Sequence, residues 1–223
     1  MPYVPSKKTD GKSADREIID AAAEILADKA AGEITDNLSV IDVYGNVFLK
    51  TARALKEFLA GQNPAGGSEE GLAKAIYEVA AAYDYQGAYL GEFNYAFTRF
   101  IQRVPAIMVE KKRWDGEFRY WIYAATVSAL ISASRQAEDL KIGLEGVLED
   151  IKDEYKRRVN TAYEAAQILK SGDCYETPYY TKVVEVVDEA GNSVGHMEIM
   201  LKRGPETIDK DILDGQLVLK SKS

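Results

Sequence analysis

Arg99 and Arg103 stand four residues apart in the segment 91–104, and Lys111, Lys112 and Arg113 follow beside Trp114. On a helix the first two share a face. Basic groups next to aromatic rings suit a phosphate-bearing strand. A second chemistry-bearing set is acidic: Glu138-Asp139, Glu145, Glu149-Asp150 and Asp153-Glu154. Carboxylates spaced along helices can hold Mg²⁺ and present a nucleotide for hydrolysis. Projected at 100° per residue from the centre of the apolar stripe, Glu145 falls near roughly 100°, Glu149 near 140° and Asp153 near 180°, drifting to the solvent side. Glu154 and Arg158 flank the core instead and can pair at i and i+4. The candidate anion or metal site is therefore Glu92, Arg99, Glu145, Glu149, Glu154 and Arg158. A structural ion pair is the reading that the spacing favours, with Mg²⁺ as the cofactor only in the alternative.

Other chemistries are closed off by residue supply. The 223-residue chain has one Cys (Cys174) and one His (His196), so an intramolecular disulfide and zinc sites built from several Cys or His ligands are excluded. His196 lies in an expected strand with no G-x-S-x-G element anywhere, which leaves no catalytic residue to assign. Gly66 and Gly71 superficially resemble a phosphate loop, but Leu72 and Ala73 occupy the Lys and Ser/Thr positions and no strand precedes them. The formal charge of -8 disfavours nucleic acid and anionic lipid as partners. With 46% hydrophobic and 29% charged residues, a soluble core-forming domain is expected.

The elements that must position these residues read as helices. Ile18, Ile19, Ala22, Leu26 and Ala30 recur on one face after a Ser13 N-cap, ending at Gly32. Val40, Ile41, Tyr44, Val47, Phe48, Leu55, Phe58 and Leu59 mark a second helix to Gly61, with Gly45 in its interior arguing for close packing or a bend. Residues 61–71 are the clearest loop, expected to be mobile, after which Ser68 can cap a helix carrying Leu72, Ile76 and Val79. Phe93, Phe97, Phe100 and Val104 predict a helix that Pro105 ends or kinks. Residues 120–134 carry no charge and are too few to span lipid, so they read as a helix buried on most sides. Leu140 to Leu169 hold a three-or-four spacing that predicts one continuous helix of about 45 Å.

After Asp173 the period changes to alternation. Residues 182–187 and 194–201 flank a Gly191-Asn192 turn, and a third short strand fits at 216–220. Tyr83, Tyr85, Tyr89, Tyr175, Tyr179 and Tyr180, drawn from fourteen tyrosines, lie in expected loops and form the candidate interface, because tyrosine joins a large ring to a polar tip.

Three blocks carry a resemblance: Met1-Pro2-Tyr3-Val4, then Gly91 to Phe100 with its Asn94-Tyr95-x-x-Thr98-Arg99, then Gly143 to Glu149 running on to Tyr155-Lys156-Arg157-Arg158. Together with Ser171-Gly172-Asp173-Cys174 they resemble an uncharacterised family of short phage and prokaryotic proteins that open Met-Pro-Tyr. Lys156 stands where that family has an aromatic and Ala162 where it has proline. Residues 34–90 and 176–223 look like additions to the short form. The resemblance implies a phage or mobile-element setting and supplies no activity.

The expectation is a mainly α fold: a bundle of five or six helices over residues 13–175, an N-terminal arm over 1–12, and a small C-terminal antiparallel β-hairpin with its tail over 176–223. The functional expectation is a non-enzymatic accessory or structural protein acting as a homo-oligomer or through a protein partner. A Mg²⁺-dependent all-α nucleotide phosphohydrolase is the alternative, and a virion structural component the second. The start shows no signal peptide and no transmembrane segment is seen, so a cytoplasmic or virion-associated location is expected.

Overall fold

Apolar side chains three and four residues apart shape the helices of the larger part of the molecule. The structure is a computed structural model that describes residues 14–83, 86–171, 179–188, 190–202 and 216–218. The chain divides into two compact units, Met1–Lys156 and Arg157–Ser223.

In the first unit, α1 (Ala14–Glu33), α2 (Asn37–Leu59), α3 (Ser68–Ala80), α4 (Tyr89–Glu110), α5 (Tyr120–Ala137) and α6 (Leu144–Tyr155) pack as a bundle. Helix α1 lies against α3 and α4, α2 against α3 and α5, and α6 against α4 and α5. Helix α2 begins at Asp36, whose carboxylate accepts from the Ser39 amide at 2.8 Å and so satisfies one of the free donors of the first turn. Its Tyr44 and Phe48 meet Phe97 and Phe100 of α4 edge-on, with centroids 5.0 Å apart for Tyr44–Phe100 and 4.9 Å for Phe48–Phe97. All four rings are fully buried and form the centre of the core.

Several local expectations change. Pro105 does not end α4, which runs on to Glu110 because Ile107 and Met108 remain buried beyond it. Ser68 is not a cap but the first helical residue; Gly67 takes the cap position without a side-chain bond. A Cβ on Gly45 would meet nothing within 4 Å, so no close packing requires glycine there. The long helix expected from Leu140 is shorter. Leu140 closes a 3₁₀ turn, and left-handed Lys141 (φ 55°) and Gly143 (φ 78°) redirect the chain before α6 starts. A π turn over Lys156–Asn160 then interrupts the run before α7 (Thr161–Ser171). Angles projected at 100° per residue lose their meaning across such a turn.

The second unit joins α7 to a three-stranded sheet in the order β2-β1-β3, with α7 touching β1. Strand β1 (Tyr179–Val187) pairs antiparallel with β2 (Ser193–Lys202) and parallel with β3 (Gln216–Val218). The turn is closed by more than Gly191-Asn192. The Asp188 carboxylate accepts from the amides of Ala190 and Asn192 at 2.9 Å, and Gly191 supplies φ 84°. Among the described residues no helix is long and apolar enough to cross a membrane.

Candidate functional site

The polar stripe of α4 faces α1. Tyr95 donates to Asp20 at 3.1 Å, Arg99 Nε donates to Asp20 Oδ1 at 2.9 Å, and Arg103 grips Glu24. Lys111, just past the helix, reaches Asp28 at 2.6 Å. The acids recur every four residues on α1, and the bases follow α4, so the seam is a ladder of ion pairs between the two helices. Arg113 extends it by donating to the carbonyls of Ala31 and Ile34, where α1 leaves acceptors without intrahelical partners. Of the basic residues singled out by the sequence, Arg99, Arg103, Lys111 and Arg113 thus hold α1 in place.

Glu92 begins the same stripe, 3% exposed, with no hydrogen-bond partner at Oε2. Burial pushes its carboxyl up, its own backbone amide pulls it down, and the charge of Asp15 raises it further. On α6, Glu145 has a buried Oε2 without a partner, and Glu149 pairs with Lys152, whose hydrogen bond holds the Glu149 carboxyl below its ordinary range. Glu154 closes the last turns of α6, whereas Arg158 lies in the π turn and in the second unit. Among the described residues no three Asp, Glu, His or Cys side chains stand together in an arrangement that could hold a metal ion. The carboxylates proposed for Mg²⁺ are thus spread over α4 and α6 in different roles.

The tyrosines separate in the same way. Tyr89 is half-buried against the core and its hydroxyl donates to the Ile142 carbonyl at 3.0 Å, tying α4 to the turn before α6. Tyr83 also packs against the core. Tyr179 and Tyr180 open β1, opposite Lys202 and Leu201. Tyr85 and Tyr175 lie outside the described residues.

A groove between α1 and α3 is a surface that sequence reasoning missed. Ile18, Ala21, Ala22 and Ile25 line one side, and Gly71 and Ala75 the other, around a volume of about 530 Å³. Ile25 is 64% exposed and Ile18 44%, although isoleucine is among the residues most often buried. Ile18 was expected on the inward face with Ile19, but neighbouring residues lie 100° apart on a helix: of the five residues expected there Ile19, Leu26 and Ala30 are buried, Ala22 is partly buried and Ile18 is exposed. That conflict within the pair Ile18-Ile19 was the available signal.

At one end of the groove Lys29 donates to both oxygens of Glu69, at 3.0 and 3.2 Å, and Ser68 donates to Oε2 at 2.7 Å. Burial pushes the Glu69 carboxyl up, but the Ser68 hydroxyl, the Lys29 ammonium and its own amide outweigh that and leave it below its ordinary value. The groove therefore presents an apolar floor beside a fully satisfied carboxylate. Ser68, Lys74 and Glu78 stand beside the apolar residues in its lining.

No curated protein and no solved structure matches the chain. One family model does, over residues 1–174; it takes in 34–90, which the resemblance had set apart, and leaves out 176–223. The chain belongs to this family, a domain of unknown function (DUF6899).

Proposed function

We propose that this protein is a non-enzymatic accessory protein that works through self-association or partner binding, and that the α1–α3 groove is its contact surface. The observation that carries the reading is the exposure of Ile18 and Ile25 on either side of an alanine floor. Contiguous apolar surface of this kind is costly in water and marks interaction sites. The engagement of Arg99, Arg103 and Lys111 in ion pairs with α1 supports it further, because these bases are committed to the fold. The phage or mobile-element setting implied by the sequence blocks belongs to the same proposal.

The test compares the full chain with the Ile18→Asp/Ile25→Asp variant. Both are followed by light scattering when purified and by size-exclusion chromatography in extracts of the expressing cells. Assemblies larger than a monomer that the variant loses are expected. A monomer in every condition, or steady turnover of a nucleoside triphosphate panel with Mg²⁺ or Mn²⁺, overturns the reading.

A further inference from the structure

We infer that the occupant of the α1–α3 groove is a second copy of this chain, related by a twofold axis that passes between the two α1 helices at the level of Ala21 and Ala22. This rests on the interaction reading above and names its partner.

The first argument is the pattern of the exposed face. Ile18, Ala21, Ala22 and Ile25 line the groove. Exchanging 18 with 25 and 21 with 22 leaves that pattern unchanged. An antiparallel twofold contact makes the same exchange, because residue i of one copy meets residue j of the other and j meets i. Ile18 of one copy then lies over Ile25 of its mate. The alanines at the crossing let the two backbones approach closely, and no charged side chain lies on this α1 face between the two isoleucines.

The second argument comes from α3 and is independent of the first. Helices α1 and α3 run antiparallel: Lys29 near the end of α1 meets Glu69 at the start of α3, 3.0 Å apart, and the earlier α1 residues Ile18 to Ile25 share the groove with Gly71 to Glu78 further along α3. Both helices rise about 1.5 Å per residue. Moving from Lys29 back to Ala21–Ala22 therefore corresponds to moving from Glu69 forward to Ile76–Tyr77. The charged pair on the groove's α3 rim, Lys74 and Glu78, brackets that level, its members 60% and 56% exposed. The axis that exchanges Ile18 with Ile25 thus also sets Lys74 of one copy toward Glu78 of the other. The rim charges are complementary under the same rotation that matches the apolar seam. A partner of unrelated sequence has no reason to share that symmetry.

The contact also explains Gly71. A Cβ there would meet nothing within 4 Å in the single chain, so the small residue is not required by the fold of one copy. It leaves room on the groove wall for an isoleucine from the mate.

Four variants of the full chain decide the matter, each first checked for unchanged helical content and monomer stability. Sedimentation equilibrium of the wild type is expected to show a dimer. Ala22→Glu should raise its dissociation constant at least tenfold. Lys74→Glu should weaken the dimer severalfold, and adding Glu78→Lys to it should restore wild-type association, because the swapped pair is again self-complementary. Ala21→Cys in a Cys174→Ser background should give a disulfide-linked dimer on oxidation.

A wild type that stays monomeric to high micromolar concentration overturns the twofold inference. The interaction reading then survives if extracts still contain a larger assembly that Ile18→Asp/Ile25→Asp abolishes, and falls with it if they do not. A dimer that is indifferent to Ala22→Glu and to the charge swap overturns the inference and places self-association on another surface.

Discussion

Arg103 holds Glu24 with two parallel hydrogen bonds, Nε to Oε2 and Nη2 to Oε1, both 2.6 Å long. The fork geometry of guanidinium against carboxylate makes this the most directional tie between α1 and α4. The Arg103 hydrogen bond outweighs the small cost of burial and holds the Glu24 carboxyl below its ordinary value of 4.5.

A double-mutant cycle with Glu24→Gln and Arg103→Met isolates the pair. Glu24 is 47% exposed at its side chain, so solvent screens the interaction, and a coupling of about 1 kcal/mol is expected at pH 7. A depressed carboxylate contributes stability that is present above its unfolded pKa and lost as pH falls through its folded one. Chemical denaturation of the four proteins should therefore show the coupling at pH 7 and none at pH 2.

The ladder also shows which parts of the molecule were open to sequence reasoning. The stripes of α2 and α4 were legible because each buried face is recorded in a local spacing: Val40, Tyr44, Val47 and Phe48, then Phe93, Phe97 and Phe100. The strands were legible for the same reason, down to the short β3 at 216–218. Asp20, Glu24 and Asp28 pair with bases some eighty residues away, and nothing local to either helix states that the two will meet. The groove was hidden by its composition, because alanine suits both a buried and an exposed helix face. The π turn at 156–160 leaves the apolar spacing on both sides intact, so a continuous helix was the simpler reading.

Gly45 gives a prediction in the opposite direction from its sequence reading. It lies inside α2 with open space where a Cβ would project. Gly45→Ala removes unfolded-state freedom and meets no clash, so it should stabilise the protein by about 1 kcal/mol. A rise in the thermal midpoint of a few degrees is the expected reading; a fall would mean that the glycine serves a contact made outside the single chain.

Tyr44 carries a hydroxyl with no hydrogen-bond partner at a fully buried position. Burial pushes its ionisation far above the ordinary range, with the nearby Tyr155 adding to it. Tyr44→Phe keeps the ring contacts with Phe48 and Phe100 and removes an unsatisfied polar group. The substitution should be neutral or stabilising by up to about 1 kcal/mol, in contrast to the loss that follows when a bonded hydroxyl is removed. Urea denaturation of the variant decides between these, and a clear loss of stability would reveal a bonded polar group beside that hydroxyl.

Glu92 makes the pH dependence of the first unit run against the Glu24 pair. Its carboxyl is pushed above 4.5, chiefly by burial and then by Asp15, with its own amide opposing. A carboxylate raised on folding is held more favourably protonated, so its contribution to stability is fullest below the unfolded pKa and declines as pH rises through the folded one. Glu92→Gln keeps the shape, carries no charge to desolvate, and brings an amide N–H to a region where Asp15 Oδ2 has no partner. At pH 7 the variant should be more stable than the wild type by about 1 kcal/mol, and at pH 3 the two should unfold together. Paired denaturation curves at the two pH values measure this directly. A variant that is less stable at pH 7 would mean that the ionised Glu92 is compensated by a cation, and would return the carboxylates of α4 to consideration as a binding site.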